Sequence, residues 1–165
     1  MTFERACYLA TLCDSYSRLS KIVELVDELT EKDWLKLLGK FWTVCDNTGA
    51  YADFMLFDSP ISRIKGPVLE LMTEHEIKFL NDLPEQINVY RGCYSEHNED
   101  GISYSLSKDI AKRFPLMFYE KIQVGYVPMV RTGLVKKDDI IAYFNSRNEH
   151  EIVLRNVEIV DDEYL

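Results

Sequence analysis

Three short stretches in the C-terminal half of the chain carry side chains that can do chemistry in concert. Val89-Tyr90-Arg91-Gly92 places a guanidinium beside a glycine. Arg offers a planar fork of N–H donors suited to phosphate or carboxylate oxygens, and Gly lets a ligand come close to the backbone. Gly101-Ile102-Ser103-Tyr104-Ser105-Leu106 supplies two hydroxyls two residues apart. In an extended segment these share a face, with Tyr104 turned the other way toward a core. Such hydroxyls can bond a sugar or orient a neighbouring carboxylate. Asn148-Glu149-His150-Glu151-Ile152-Val153-Leu154 supplies two carboxylates at the same spacing. Held close, they repel unless a cation or a shared hydrogen bond relieves them, so the pair suits a site where positive charge develops. A cation for a pyrophosphate, hydroxyls for a ribose and carboxylates for an oxocarbenium-like centre together suit chemistry on a dinucleotide.

The Glu-x-Glu pattern carries little weight alone, because Glu74-His75-Glu76-Ile77 repeats it. That copy falls in an expected helix, where residues two apart do not face each other, and reads as a solvated face. The second copy differs in context: it follows a turn and runs into Ile152-Val153-Leu154. His75, His97 and His150 are too scattered for a metal site, and no metal is expected. No phosphate-binding P-loop, Gly-x-Ser-x-Gly elbow or dinucleotide-binding Gly-rich fingerprint is present.

The elements that must position these residues divide the chain in two. Residues 1–82 read as helical. Ala6, Leu9, Ala10 and Cys13, then Tyr16, Leu19, Ile22, Val23 and Val26, recur at spacings of three and four. Thr30-Glu31-Lys32-Asp33 forms a capping signal for a helix carrying Trp34, Leu37, Leu38, Phe41 and Trp42. Asn47-Thr48-Gly49 should end it. Shorter helices are expected near 50–57 and 67–81, with Ser59-Pro60 and Gly66-Pro67 as breaks. From residue 83 onward the pattern is β-rich. Residues 87–91 alternate like a strand, and so do residues 122–134, with Ile122, Val124, Tyr126, Pro128, Val130, Thr132 and Leu134 on one face. Ile140 to Phe144 and Glu151 to Val160 are further strand candidates. One helix, capped by Ser107 and carrying Ile110, Ala111 and Phe114, interrupts them. Asp161-Asp162-Glu163 reads as an acidic, frayed tail. The layout is one α+β domain over 1–165.

Bulk composition narrows the class. The chain has 165 residues, 47% hydrophobic and 28% charged, with eight Phe, ten Tyr and two Trp, enough to build a core. Cys7, Cys13, Cys45 and Cys93 show no Cys-x-x-Cys pairing and read as reduced thiols. No apolar run reaches the length of a spanning helix and no signal pattern opens the chain, so a cytoplasmic protein without membrane partners is expected. The net charge of −9 disfavours non-specific binding to nucleic acid, which depends on exchanging cations for counterions.

Taken together, the three stretches resemble the arginine–serine–glutamate class of ADP-ribosyltransferases. Tyr90-Arg91-Gly92 is similar to that family's first motif, and Ser103-Tyr104-Ser105-Leu106-Ser107, continuing through Ala111 to Phe114, to its Ser-Thr-Ser strand and following helix. Glu149-His150-Glu151-Ile152-Val153-Leu154 is similar to its Glu-x-Glu motif. The resemblance covers residues 87–160. It implies a helical N-terminal half packed on a split, antiparallel β-sheet core that binds NAD as co-substrate. By that resemblance Arg91 would hold the NAD phosphates and Gly92 would offer backbone hydrogen bonds to the nicotinamide amide. Ser103 would position the catalytic glutamate, with Ser105 in support. Glu151 would bind the ribose hydroxyl and stabilise the oxocarbenium-like state, and Glu149 would engage the acceptor. Phe114, Phe118 or Tyr119 would stack on nicotinamide. Only eleven residues separate Arg91 from Ser103, fewer than the family usually has, so a hairpin turning on Asn98-Glu99-Asp100-Gly101 is expected there. The middle of the Ser-Thr-Ser motif is occupied by Tyr104.

The expected reaction is transfer of ADP-ribose to a macromolecule, a protein arginine favoured over nucleic acid. A carboxylate at 149 can accept the paired N–H bonds of a guanidinium. NAD hydrolysis, a nucleic-acid acceptor, and a non-catalytic protein whose helical half docks a partner stand as alternatives.

Overall fold

Thr2, Thr30 and Thr73 each stand one residue before a helix and accept a hydrogen bond from the backbone N–H three residues on, of Arg5, Asp33 and Glu76 respectively. They open α1 (Phe3–Thr11), α3 (Glu31–Phe41) and α4 (Glu74–Asp82), with α2 (Arg18–Glu24) between the first two. The computed structural model describes residues 1–117 and 125–165. The expected run of helix from Ala6 to Val26 is broken. Asp14 Oδ1 accepts from Tyr16 N, Ser17 N and Ser17 Oγ at 3.1, 2.8 and 2.7 Å, a local turn that competes with helical bonding. From Trp42 to Leu71 the chain runs through short 3-10 and π turns rather than full helices, because Asn47, Gly49, Pro60 and Gly66-Pro67 punctuate it too often for a longer helix. Glu76 is more than a solvated residue: it closes the capping box of α4 and also accepts from Asn145 N at 3.2 Å.

The β-rich half forms β1 (Gln86–Tyr94), β2 (Ser103–Ser105), β3 (Pro128–Lys136), β4 (Ile140–Phe144), β5 (Glu151–Leu154) and β6 (Glu158–Tyr164), with α5 (Lys108–Met117) after β2. All pairings are antiparallel and the order is β4-β5-β2-β1-β3-β6. The sheet is one hydrogen-bonded surface, yet it parts along its middle. β1 meets β3 in nine register pairs, but it meets β2 at Tyr90 and Ser105 alone. Two three-stranded halves therefore join at a narrow seam.

Register places Phe144, Glu151, Ser105 and Tyr90 in line across the sheet, hence on one face, with Ser103 and Gly92 two residues along. The N-terminal helices cover that face over β4 and β5, packing Trp42, Leu38 and Met55 around Phe144, Ala142 and Val153. α5 covers it over β1 and β3. On the opposite face α4 brings Leu80 and Phe79 against Val89, Tyr104, Tyr143 and Ile152. Tyr104 is thus a core residue. The two helical layers on the first face stop short of each other above the seam, and a cleft lies between them.

Several expected boundaries move. Of the strand expected over 122–134, residues 122–124 lie outside the described residues, and β3 starts at Pro128. Pro128 and Val130 on the expected face are buried, but so are Met129, Gly133 and Val135 on the other, because α5 and α4 cover opposite sides of the sheet. The expected strand from Glu151 to Val160 is two strands lying on opposite sides of the seam. The acidic tail is β6, not a frayed end. Arg131 clasps Asp162 through two bonds of 2.9 and 3.0 Å, while Lys108 and Lys112 both reach Glu163.

Candidate active site

Glu151 opens β5 at the mouth of the seam. Its Oε1 accepts from Ser103 Oγ at 2.6 Å and from the Trp42 indole N–H at 2.8 Å. Ser103 arrives on the adjacent strand, and Trp42 arrives from the end of α3, a separation of 109 residues. Part of Glu151 still meets the cleft, but its carboxylate is packed closely enough that burial pushes its pKa above the usual glutamate range. The Ser103 and Trp42 bonds pull the other way, Glu149 adds to the rise, and Arg147 opposes it.

Glu149 and Glu151 both line the cleft, though not through strand alternation. His150 between them has φ of 46° and Asn148 has φ of 56°, so the chain turns rather than extends. A left-handed histidine is held there by its neighbours: Asn145 Oδ1 accepts from His150 N at 3.1 Å, Leu106 N bonds His150 O at 3.0 Å, and Tyr143 OH lies 2.9 Å from His150 Nδ1. Ser105 is buried, donates to Glu149 O at 2.8 Å and accepts from Ser107 N at 3.0 Å. It fixes the backbone of Glu149 and the entry to α5. Glu149 pairs with Arg147, Oε1 to Nε at 3.4 Å, and Arg147 Nη1 donates to Thr43 O at 3.0 Å.

Arg91 and Gly92 project to opposite sides of β1. Arg91 turns into the seam, where Nη1 donates to Ser103 O at 2.8 Å while Nη2 and Nε donate to Asn98 O at 2.9 and 3.3 Å. Gly101 is packed so closely on this guanidinium that a Cβ there would fall 2.5 Å from its Cζ. Three of five N–H groups are thus used, and the other two have no partner among the described residues. Burial lowers the Arg91 pKa. Its cross-strand neighbour Arg131 is neutralised by Asp162, while Arg91 has no carboxylate partner among the described residues. A half-buried cation in that state has the chemistry to receive an anion. Gly92 lies under α5: a Cβ would fall 1.9 Å from Ala111 O and 2.6 Å from Pro115 Cδ. Pro115 has no N–H to bond Ala111 O, which leaves that carbonyl against Gly92.

The hairpin between β1 and β2 occupies the short Arg91-to-Ser103 interval, with Asn98 Oδ1 taking Tyr94 N at 2.8 Å. The cleft measures about 550 Å³ and is lined on one side by Trp42, Thr43 and Asp46 and on the other by Arg91, Phe114 and Pro115, a size in the range of small-molecule and cofactor sites. Phe114 is 37% exposed on its wall. Phe118 and Tyr119 lie outside the described residues. The structure brings Arg91, Gly92, Ser103, Ser105, Phe114, Glu149 and Glu151 to this one cleft. It adds Trp42, Thr43 and Arg147, which the sequence offered no local signal to select. Among the described residues no group of three or more His, Cys, Asp and Glu is placed to hold a metal ion, no helix is long and apolar enough to cross a membrane, and all four cysteines are free.

No family model matches the chain, and no curated protein or solved structure matches it.

Proposed function

We propose that the protein is a mono-ADP-ribosyltransferase with an ADP-ribosyltransferase-like core, moving ADP-ribose from NAD to a macromolecular acceptor, a protein arginine before a nucleic acid. The observation that carries this reading is the carboxylate of Glu151, held on one oxygen by Ser103 and Trp42 in the cleft that Arg91 also lines. Such a carboxylate presents its other oxygen, Oε2, to a ligand. In NAD the bond from nicotinamide to ribose breaks with the electron pair leaving on the ring nitrogen, so positive charge spreads over C1 and the ring oxygen. A carboxylate on the ribose hydroxyl stabilises that charge chiefly in the transition state, where stabilisation accelerates the reaction. The two spare N–H groups of Arg91 suit the pyrophosphate, and Phe114 offers an aromatic face to the nicotinamide. The acceptor nitrogen forms the new bond to C1 as the bond to nicotinamide breaks and gives its proton to solvent water, with Glu149 seating its guanidinium.

A second reading is favoured by one contact. Arg147 already pairs with Glu149, so the acceptor carboxylate is satisfied from within the chain, and water in place of the acceptor would make the protein an NAD glycohydrolase. Incubation with labelled NAD and a cell lysate separates the two. Label fixed on protein, and removed by treatment that cleaves arginine-linked ADP-ribose, supports transfer to arginine. Free ADP-ribose alone supports hydrolysis, and intact NAD refutes both.

A further inference from the structure

We propose that Trp42 is a positioning residue for Glu151, which makes the helical half of the chain a working part of the site rather than a separate docking module. This rests on reading Glu151 as the reacting carboxylate. The Trp42 indole N–H and the Ser103 hydroxyl meet the same oxygen, Oε1, at 2.8 and 2.6 Å. A carboxylate oxygen has two acceptor sites, so Oε1 is saturated and the plane of the carboxylate is set. Oε2 has no protein donor among the described residues and is the oxygen left for substrate.

The indole is itself held. Trp42 is buried and stacks on Phe144, with ring centroids 6.1 Å apart and planes 20° from parallel. Phe144 is the cross-strand partner of Glu151, so one ladder pair fixes both the carboxylate and the ring that bonds it. The same 3-10 turn, Trp42–Val44, also grips the loop before β5: Thr43 O accepts from Arg147, and Thr43 Oγ1 lies 2.9 Å from Ser146 Oγ. Trp34 makes the contrast. Its indole donates to Ile22 O at 2.8 Å, a bond within the helical layer that touches no titrating group.

Burial opposes the charged form of Glu151, and the donors Ser103 and Trp42 favour it. The other charged or titratable groups lining the cleft are Glu149 and Arg147 on the loop before β5, Arg91 on β1, Cys45 and Asp46 after α3, and Tyr16, Tyr90, Tyr94 and Tyr104. Of these, Glu149 disfavours the ionised form and Arg147 favours it. Removing the indole donor therefore raises the Glu151 pKa and leaves less of the carboxylate ionised at a given pH.

The first test uses the intact protein without NAD. The Trp42 indole N–H resonance is expected to shift as Glu151 titrates, while that of Trp34 stays still, and in Glu151→Gln the shift is lost. The second uses Trp42→Phe, which keeps an aromatic ring against Phe144. The acid limb of its rate of NAD cleavage is expected to move up by roughly 1–2 pH units, since a bond to a charged group is worth that much. Turnover should return toward the parent value at high pH, with KM for NAD little changed. A merely structural role would lower the rate at every pH and leave the limb in place. An indole resonance indifferent to Glu151, or an unmoved acid limb, overturns the proposal. Linked indole titration in a protein that leaves NAD intact would instead sink the transferase reading, so the two fail separately.

Discussion

Replacing Glu151 by Gln changes charge and almost nothing else. The amide oxygen of Gln can accept from Ser103 and Trp42 as Oε1 does, and the amide NH₂ takes the place of Oε2 toward the cleft. NAD binding should persist, because Arg91 and the cleft walls are untouched. Turnover should fall by about 100- to 1000-fold, the ~2.7–4 kcal/mol that one preorganised electrostatic contact contributes to a transition state. Stability should move the opposite way. Burial raises the Glu151 pKa in the folded chain above its unfolded value. The folded protein then binds that proton more tightly, and the resulting stability is fully present below the unfolded-state pKa and lost as pH rises through the folded-state pKa. Above its folded-state pKa the parent carries an ionised carboxylate that burial disfavours, and the Gln variant does not. Thermal unfolding should therefore give a higher Tm for Glu151→Gln on the alkaline side of the Glu151 titration, and the difference should vanish in acid. Nicotinamide release and calorimetric NAD binding complete the assay. Near-parental turnover refutes Glu151 as the reacting carboxylate, and a Tm lowered on the alkaline side of the Glu151 titration refutes the account of its burial.

Three further outcomes follow from packing and charge. Gly92→Ala drives a Cβ against Ala111 O at 1.9 Å, so α5 must shift and stability should fall by about 1–3 kcal/mol in denaturant titration; an unchanged midpoint would mean that α5 is not seated on β1 as described. Arg91→Lys removes the fork that bonds Asn98 O and Ser103 O. With about 1 kcal/mol for each carbonyl, unfolding should become easier by roughly 2 kcal/mol, and NAD affinity should drop as well; full stability would show that the guanidinium does not hold the hairpin. Arg147→Ala releases Glu149 from a pair that is half open to solvent. Transfer to a free guanidino acceptor should rise by up to about fivefold, the worth of such a pair, and a lower rate would count against Glu149 as the acceptor's seat.

The amino-acid sequence by itself determined what neighbours along the chain can settle. Thr30 and Ser107 cap their helices as expected, Ile140–Phe144 is a strand, and a connection does turn back in the short gap before Ser103, though its turn falls at residues 95–98 rather than 98–101. Caps, alternation and turn chemistry act over a few residues, so composition is enough to read them. Arg91, Ser103 and Glu151 could likewise be chosen by type and order. The sequence misjudged features whose partners are distant. Local composition made 161–163 look loose, yet three cations from β3 and α5 hold β6 in place. Local alternation put Glu149 and Glu151 on one strand face, whereas contacts from β4 and the segment after β2 force His150 into a left-handed turn. Only the tertiary structure decided that the sheet parts between β1 and β2, that two helical layers stop on either side of that seam, and that Trp42 crosses 109 residues of chain to reach Glu151. Contacts between distant segments depend on how whole layers pack, and no local pattern encodes them.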